Sequence, residues 1–341
     1  MKKINVAIAG ATGFVGLELI HILKKHPHVE IIYLFAQSNL GKHISFFDNS
    51  LKKEKKLPIV TSMKDADFSK IDTIFTALPH GEAHLVAKKM GKKSVLIDLS
   101  ADFRINKKFI FEHWYKVPHL AMGEQKKSVY GLSEINRLKI KKTNIISCPG
   151  CYPTSILLPL IPLVKNNLIN TKKIIADSKS GYSGAGKKIE DKKLYPNINN
   201  NIAIYGVGHH RHMPEIDQVL SENANKKISI TFTPHLIPTF RGILSTIYVE
   251  LSKNIKIEDV YKCLVNFYKK EQFVRILDFK NMVNTNEVLN SNYCNISVYK
   301  NRFNRQIIIA SSIDNLVKGA AGQAVQNFNI RYGYKESLAI I

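Results

Sequence analysis

The chain has 341 residues, 45% hydrophobic and 23% charged, enough for one large domain or two ordinary ones around sizeable cores. No apolar run approaches the ~18 residues of a membrane helix, and the basic start MKKINVAIAG is interrupted by Asn5 and by glycines before a secretory apolar region can form, so we expect a cytoplasmic protein with no membrane partner. The net charge of +23 comes mainly from lysines scattered through every segment, with only eight arginines; without a zinc finger, an RNA-recognition signature or a long basic helix, it argues against a nucleic-acid partner.

The first elements are the clearest. In INVAIAGATGFVGLELIHILKKHPHVEIIYLFA, an apolar run from Ile4 to Ala9 ends at Gly10, Gly13 and Gly16. A helix-period stretch, a His-Pro stop and a second apolar run follow. Strand, glycine turn, helix and strand make the βαβ unit of a dinucleotide fold, with a pyrophosphate expected at the helix N-terminus. An NAD site wants a carboxylate just past the second strand, to hold the ribose hydroxyls. The loop there reads AQSNLGK; Ser38 and Lys42 suit a 2′-phosphate and hence NADP(H), with a plain polar loop as the alternative.

IDTIFTALPHGEAHLVAKKM and KKSVLIDLSADFR continue the strand–helix alternation of a parallel sheet. A further strand, TNIIS, runs into SCPGCYPTS, which carries two of the four cysteines. A zinc ribbon would need a second close pair, and a thioredoxin-type couple wants a much smaller domain. A helix opening just after Gly150 would instead place Cys151 in its first turn, where unpaired N–H groups stabilise a thiolate. Such a thiolate beside a nicotinamide suggests acyl transfer through a thioester. Cys148 precedes the helix and reads as a bystander.

Beyond residue 150 the pattern changes. KKIIADSKSGYSGAGKK, KKISITFTPHLIPTFRGILSTIYVEL and NRQIIIASSI alternate as longer strands of a mixed sheet, and DNLVKGAAGQAVQNFNIRYG reads as a small-residue helix. SGYSGAGKK nearly spells a phosphate loop, but Lys188 stands where a magnesium-binding Ser or Thr is required, so we read it as a glycine loop lining a cleft. GVGHHRHMPEI offers His209, His210, Arg211, His212 and Glu215. Adjacent histidines do not readily ligate one ion, so we expect an acid/base centre and no metal.

Taken together, GATGFVG, DLSADFR, PGCYPTS, SGYSGAGK, GHHRHMPEI, FTPHLIPTFRGIL and DNLVKGAAGQAVQN resemble, nearly end to end, the N-acetyl-γ-glutamyl-phosphate reductases of the aspartate-semialdehyde dehydrogenase superfamily. The chain departs from that pattern at Cys148, where the family commonly has Asn, and at Gln37, where it often has Arg. The resemblance implies an α/β protein. A Rossmann-type NADP-binding domain would span 1–150 and 313–341, and an α+β mixed-sheet catalytic and oligomerisation domain 151–312. It implies Cys151 as nucleophile and His212 as acid/base, supported by His210 and Glu215. Cofactor contacts would come from Gly10, Thr12, Gly13, Phe14, Val15, Gly16, Ser38, Lys42, Ser183, Gly184 and Asn315. Arg211 and Arg241 would bind the substrate carboxylate or phosphate. Arg104 would do the same or serve a structural salt bridge. The implied reaction is NADPH-dependent reduction of N-acetylglutamyl phosphate in arginine biosynthesis, by a homo-oligomer. Aspartyl phosphate or a carrier-linked acyl phosphate are alternative substrates, and a nucleic-acid-binding or regulatory NADP sensor is the alternative outside the class.

Overall fold

The computed structural model describes residues 3–187, 200–279 and 281–340; the Lys188 reading lies outside them. The chain divides into two compact units, 1–149 with 320–341 and 150–319. The return to the first unit comes at Ala320 rather than at 313. Asp314 holds the intervening turn to the second unit, accepting the amides of Asn290 and Leu316 through its carboxylate and that of Gly319 through its carbonyl.

The first unit carries strands β1 (Ile4–Ala9), β2 (Val29–Phe35), β3 (Val60–Thr61), β4 (Thr73–Thr76), β5 (Val95–Asp98), β6 (Val129–Tyr130) and β7 (Ile145–Ser147), in sheet order β3-β2-β1-β4-β5-β7-β6. All the pairings are parallel. Its helices are α1 (Phe14–Leu23), α2 (Ala83–Lys89), α3 (Lys108–Tyr115), α4 (Met122–Gln125) and α5 (Ser133–Ile140). The strand order reverses at β1, so the turn from β1 into α1 lies at the crevice where open α/β sheets take their ligands.

The second unit opens with α6 (Cys151–Lys165) and builds a mixed sheet from β8 (Ile169–Gly181), β9 (Ala203–Ile204), β10 (Thr231–Ile237), β11 (Ile243–Leu251), β12 (Val274–Ile276), β13 (Cys294–Lys300) and β14 (Gln306–Ile313), ordered β12-β13-β14-β11-β8-β10-β9. Helices α7 (Met213–Ala224) and α8 (Ile257–Tyr268) complete it. The long run 231–251 is two strands, broken at Gly242, whose φ of +103° favours glycine. The tail forms a π-helical turn at Val317–Ala321 before α9 (Gly322–Tyr332), which packs on α1, α5 and β5 of the first unit. No helix among the described residues is long and apolar enough to cross a membrane.

Helix α6 is buried from Tyr152 to Val164 although Pro159 and Pro162 interrupt it. Each proline removes an N–H and leaves the carbonyl four residues earlier without its helical donor. Both carbonyls are repaired from outside the helix. The Ser311 hydroxyl donates to Ser155 O at 2.5 Å, and the Tyr268 hydroxyl to Leu158 O at 2.5 Å. Burial of Ile156, Leu157, Leu158, Leu160, Ile161 and Leu163, at ~1.5–3 kcal/mol for each side chain, exceeds the ~3 kcal/mol cost of each proline. We therefore expect Tyr268→Phe, which strands the Leu158 carbonyl in an apolar core, to lose about 1–3 kcal/mol of stability. The urea-unfolding midpoint measures it, and an unchanged midpoint would refute this account of the helix.

Candidate active site

Cys151 is the first helical residue of α6, with Gly150 as its N-cap. Its thiol therefore sits among the first-turn amides, at the positive end of the helix dipole, and it is half-buried. Gly150 is required by close approach: a Cβ there would lie 2.4 Å from His212 Nε2. Its N–H donates to Glu215 Oε1 at 2.9 Å, and Glu215 is fully buried. His212 is the N-cap of α7 and Glu215 lies in its first turn. The two residues are three apart on one helix end and face the same way. That spacing brings an imidazole and a carboxylate together on the residue preceding the thiol.

His210 supports this arrangement. Its Nδ1 accepts the His212 N–H at 3.1 Å, so the ring proton sits on Nε2. Tyr152, Tyr205, Phe232 and His212 surround it at centroid distances of 5.5, 5.5, 5.4 and 4.8 Å. Burial lowers its pKa to about 4, helped by the charges of Arg211 and His209. His210 is therefore a neutral prop, whereas His212 stands over the Gly150 turn. His209 and Arg211 are exposed.

Cys148 belongs to the first unit. It is fully buried, it accepts from Asn327 Nδ2 at 3.6 Å, and burial pushes its thiol up to about 12. None of the four cysteines is in a disulfide. Arg104 is buried, with Nε on Cys148 O and Nη2 on Leu99 O, both at 2.8 Å. Those two nitrogens secure the backbone of Cys148 and Leu99. Arg241 is one-fifth exposed, and its Nη1 donates to Asp314 Oδ2 at 3.3 Å. Ser183, Gly184 and Asn315 come together: Asn315 Nδ2 donates to Ser183 Oγ at 2.8 Å, Asn315 Oδ1 accepts the Gly242 N–H at 2.7 Å, and a Cβ on Gly184 would be 3.7 Å from Asn315 Nδ2.

In the first unit the β1–α1 turn fits a pyrophosphate. A Cβ on Gly10 would lie 2.2 Å from Ala77 O, and one on Gly16 would lie 2.2 Å from Gly10 O, so these two glycines close the turn and seat the helix. Gly13, the N-cap of α1, has only Gly10 O nearby, at 3.5 Å. No side chain caps the helix and its first turn has no acidic residue, so the amides of Phe14, Val15 and Gly16 keep room for an anion. Thr12, Phe14 and Val15 are partly exposed, and Ser38 and Lys42 are exposed. Lys42 Nζ lies 5.7 Å from the centre of the Phe46 ring.

A family model described as semialdehyde dehydrogenase, NAD binding domain, matches residues 5–143, and one described as semialdehyde dehydrogenase, dimerisation domain, matches 151–315. An N-acetyl-gamma-glutamyl-phosphate reductase of Alkaliphilus metalliredigens is 46% identical over 99% of this chain and 98% of its own. A probable chloroplastic one of Arabidopsis thaliana is 45% identical over 100% of this chain and 84% of its own. The chain belongs to the N-acetyl-γ-glutamyl-phosphate reductase family. The fold is also that of aspartate semialdehyde dehydrogenase II from Vibrio cholerae, with a TM-score of 0.71, 19% identity, and coverage of 98% and 99% of the two chains. Aspartate semialdehyde dehydrogenase with NADP from Candida albicans superposes with a TM-score of 0.68 at 20% identity, covering 96% and 98%.

Within this family member, sequence reasoning passed over several groups near the site. Tyr152, next to Cys151, donates its hydroxyl to His235 O at 3.2 Å and accepts from Tyr205 at 3.1 Å. Asp177 pairs with Lys179 and stands 3.5 Å from His235 Nδ1. Their alternation along β8 and β10 is visible in the sequence, but the register that pairs Thr233 with Asp177 and His235 with Lys179 is not.

The lowered pKa of His210 has a pH signature. Between about pH 4 and 6.5 the unfolded chain holds a proton on this residue that the folded chain does not. Its neutral form thus contributes stability that is complete above 6.5 and lost as pH falls through about 4. His210→Asn should flatten the stability-against-pH slope in that window by up to one proton, about 1.4 kcal/mol per pH unit. Urea unfolding across the window checks it; parallel curves for native and variant would refute it.

Proposed function

We propose that the chain catalyses NADPH-dependent reductive dephosphorylation of N-acetyl-L-glutamyl 5-phosphate to N-acetyl-L-glutamate 5-semialdehyde, the reductive step of arginine biosynthesis. Near-full-length identity to reductases of that name carries the reading. The Cys151–His212–Glu215 arrangement around Gly150 supplies the chemistry it needs.

Cys151, as thiolate, attacks the acyl carbon, and the C–O bond to phosphate breaks, leaving a thioester and free phosphate. First-turn amides of α6 are placed to stabilise the oxyanion formed in that attack. The dinucleotide, when bound, supplies one hydride to the thioester carbon. His212 donates a proton to the hemithioacetal oxygen and takes it back as the C–S bond breaks, releasing aldehyde and restoring the thiolate. His210 fixes the His212 backbone, and Glu215 holds the Gly150 turn. Arg211, exposed beside His212, and Arg241 are the cations for the substrate carboxylate and phosphate. In the first unit, Gly10, Thr12, Gly13, Phe14, Val15 and Gly16 hold the pyrophosphate, and Ser38 and Lys42 face the 2′-phosphate. Ser183, Gly184 and Asn315 are the second unit's candidate cofactor contacts. The second unit's sheet joins copies into a homo-oligomer, in keeping with the family model that matches it.

Steady-state assays of three variants test the chemical roles. Cys151→Ala should abolish turnover, Cys148→Ser should retain most of it, and His212→Asn should lose roughly 100-fold or more in kcat. Equal losses in the two cysteine variants would overturn the nucleophile assignment, and a full rate in His212→Asn would overturn the proton shuttle.

Cofactor choice is a separate test. A lysine–phosphate contact is worth roughly 1.5–3 kcal/mol when partly shielded, and the exposure of Lys42 places it at the low end. We expect kcat/KM to favour NADPH over NADH by about tenfold, with most of that preference lost in Lys42→Ala. Equal use of NADH by the native enzyme would sink the assignment, and an unchanged ratio in Lys42→Ala would move the phosphate contact elsewhere.

A further inference from the structure

The stretch AQSNLGK just past β2 lacks a carboxylate, yet the fold brings one to it. Gln37 Nε2 donates to both carboxylate oxygens of Glu82, at 3.1 and 3.2 Å. Gln37 lies two residues beyond Phe35, whose carbonyl takes the amides of Gly10 and Ala11. Glu82 lies in the loop after β4, at the N-cap of α2. Ala77, at the start of that same loop, closes on Gly10. Since β2 and β4 flank β1 on opposite sides, the Gln37–Glu82 bond joins the two loops bordering the β1–α1 turn. A half-buried carboxylate is thereby held by Gln37, the residue before Ser38, in the loop where a nucleotide with its pyrophosphate on α1 would place its adenosine ribose.

We infer that Glu82, tethered by Gln37, is a specificity-determining residue for the dinucleotide. From the loop after β4 it supplies the negative charge that normally comes from the end of β2, opposing a 2′-phosphate and accepting a ribose 2′-hydroxyl. The inference rests on the reading of the β1–α1 turn as the pyrophosphate site. Lys42 and Ser38 pull towards the phosphate and Glu82 pulls against it. The preference for NADPH is the difference between them. Gln37 matters because it orients the carboxylate: an untethered, exposed glutamate would turn into solvent and lose its discrimination.

Two unit charges about 4 Å apart in a water-like medium interact by ~1 kcal/mol, equivalent to about fivefold at 1.4 kcal/mol per decade. Glu82→Gln removes the charge, keeps the shape and leaves every residue assigned to chemistry intact. Calorimetric titration of the native protein and the variant with NADP⁺, NAD⁺, 2′,5′-ADP and ADP reads the effect without turnover, and kcat/KM with both reduced cofactors reads it in catalysis. We expect the variant to raise the NADP⁺/NAD⁺ and 2′,5′-ADP/ADP affinity ratios about fivefold. Added salt should shrink the difference between native and variant, and Gln37→Leu should move the ratios in the same direction by less. Ratios unchanged within twofold while both nucleotides bind would overturn the Glu82 inference alone. If native protein bound none of the four nucleotides, the dinucleotide reading of the turn would fail, and the inference with it.

Discussion

The hydrogen bond from the Gly150 amide to Glu215 fixes the geometry on which the second unit's chemistry depends. A fully buried carboxylate costs several kcal/mol unless it is hydrogen-bonded and compensated. Glu215 obtains that compensation from the first turn of its own helix, α7, and from an amide at the mouth of α6. Two helix N-termini are thereby drawn to one carboxylate, and the side chains they carry follow. Cys151 is the next residue along α6, and His212 is one helical turn before Glu215. The absence of a side chain at 150 completes the device, because only a glycine lets Nε2 of His212 come so close.

The same economy separates the two histidines of the motif. A histidine acting on protons must change charge near working pH, and His210 does not, since burial among Tyr152, Tyr205 and Phe232 holds its pKa near 4. Its Nδ1 is already committed to the His212 amide. The residue that looks chemically equivalent in sequence is thus made electrostatically inert by its surroundings and serves as backbone support. The cysteines divide in a parallel way. Cys148 ends inside the packing of the first unit, where burial suppresses its thiolate. Cys151 opens a helix whose dipole favours one.

How much of this could be read from the sequence follows from what each signal depends on. The βαβ turn and the placement of Cys151 at a helix start are local, set by strand, glycine and helix periodicity over short stretches, and both were legible. The motif around His212 was legible too, because a three-residue offset on a helix start is a local fact. Pairing between distant segments was not. The edge strands β3, β6 and β9 are two residues each, too short to show alternation. β13 alternates apolar and polar residues from Cys294 to Val298 yet is buried throughout that stretch, so its pattern suggests a solvent face that the fold covers. Glu82 was invisible for the same reason: the stretch AQSNLGK after β2 contains no carboxylate, and nothing in its sequence says which other loop will supply one.

The arginines illustrate how a planar fork can serve the backbone as well as an anion. Eight arginines among fifty basic residues suggest positions where a planar fork is needed and a lysine would not serve. For Arg104 that inference is sound, yet the partners whose distances fix its position are backbone carbonyls, those of Cys148 and Leu99. The surrounding DLSADFR segment behaves likewise. Asp102 accepts the amides of Gly81 and Ala83 at 2.8 and 2.9 Å, at the entrance to α2. Burial, with Asp98 nearby, pushes its carboxyl up to about 7 against the pull of those donors. A buried polar network that anchors loops must be fully specified in residue type and spacing, so it produces a motif as sharp as a catalytic one. In the first unit the backbone of Cys148 is gripped by Arg104, and in the second that of Gly150 by Glu215. Each grip acts on the main chain within three residues of Cys151.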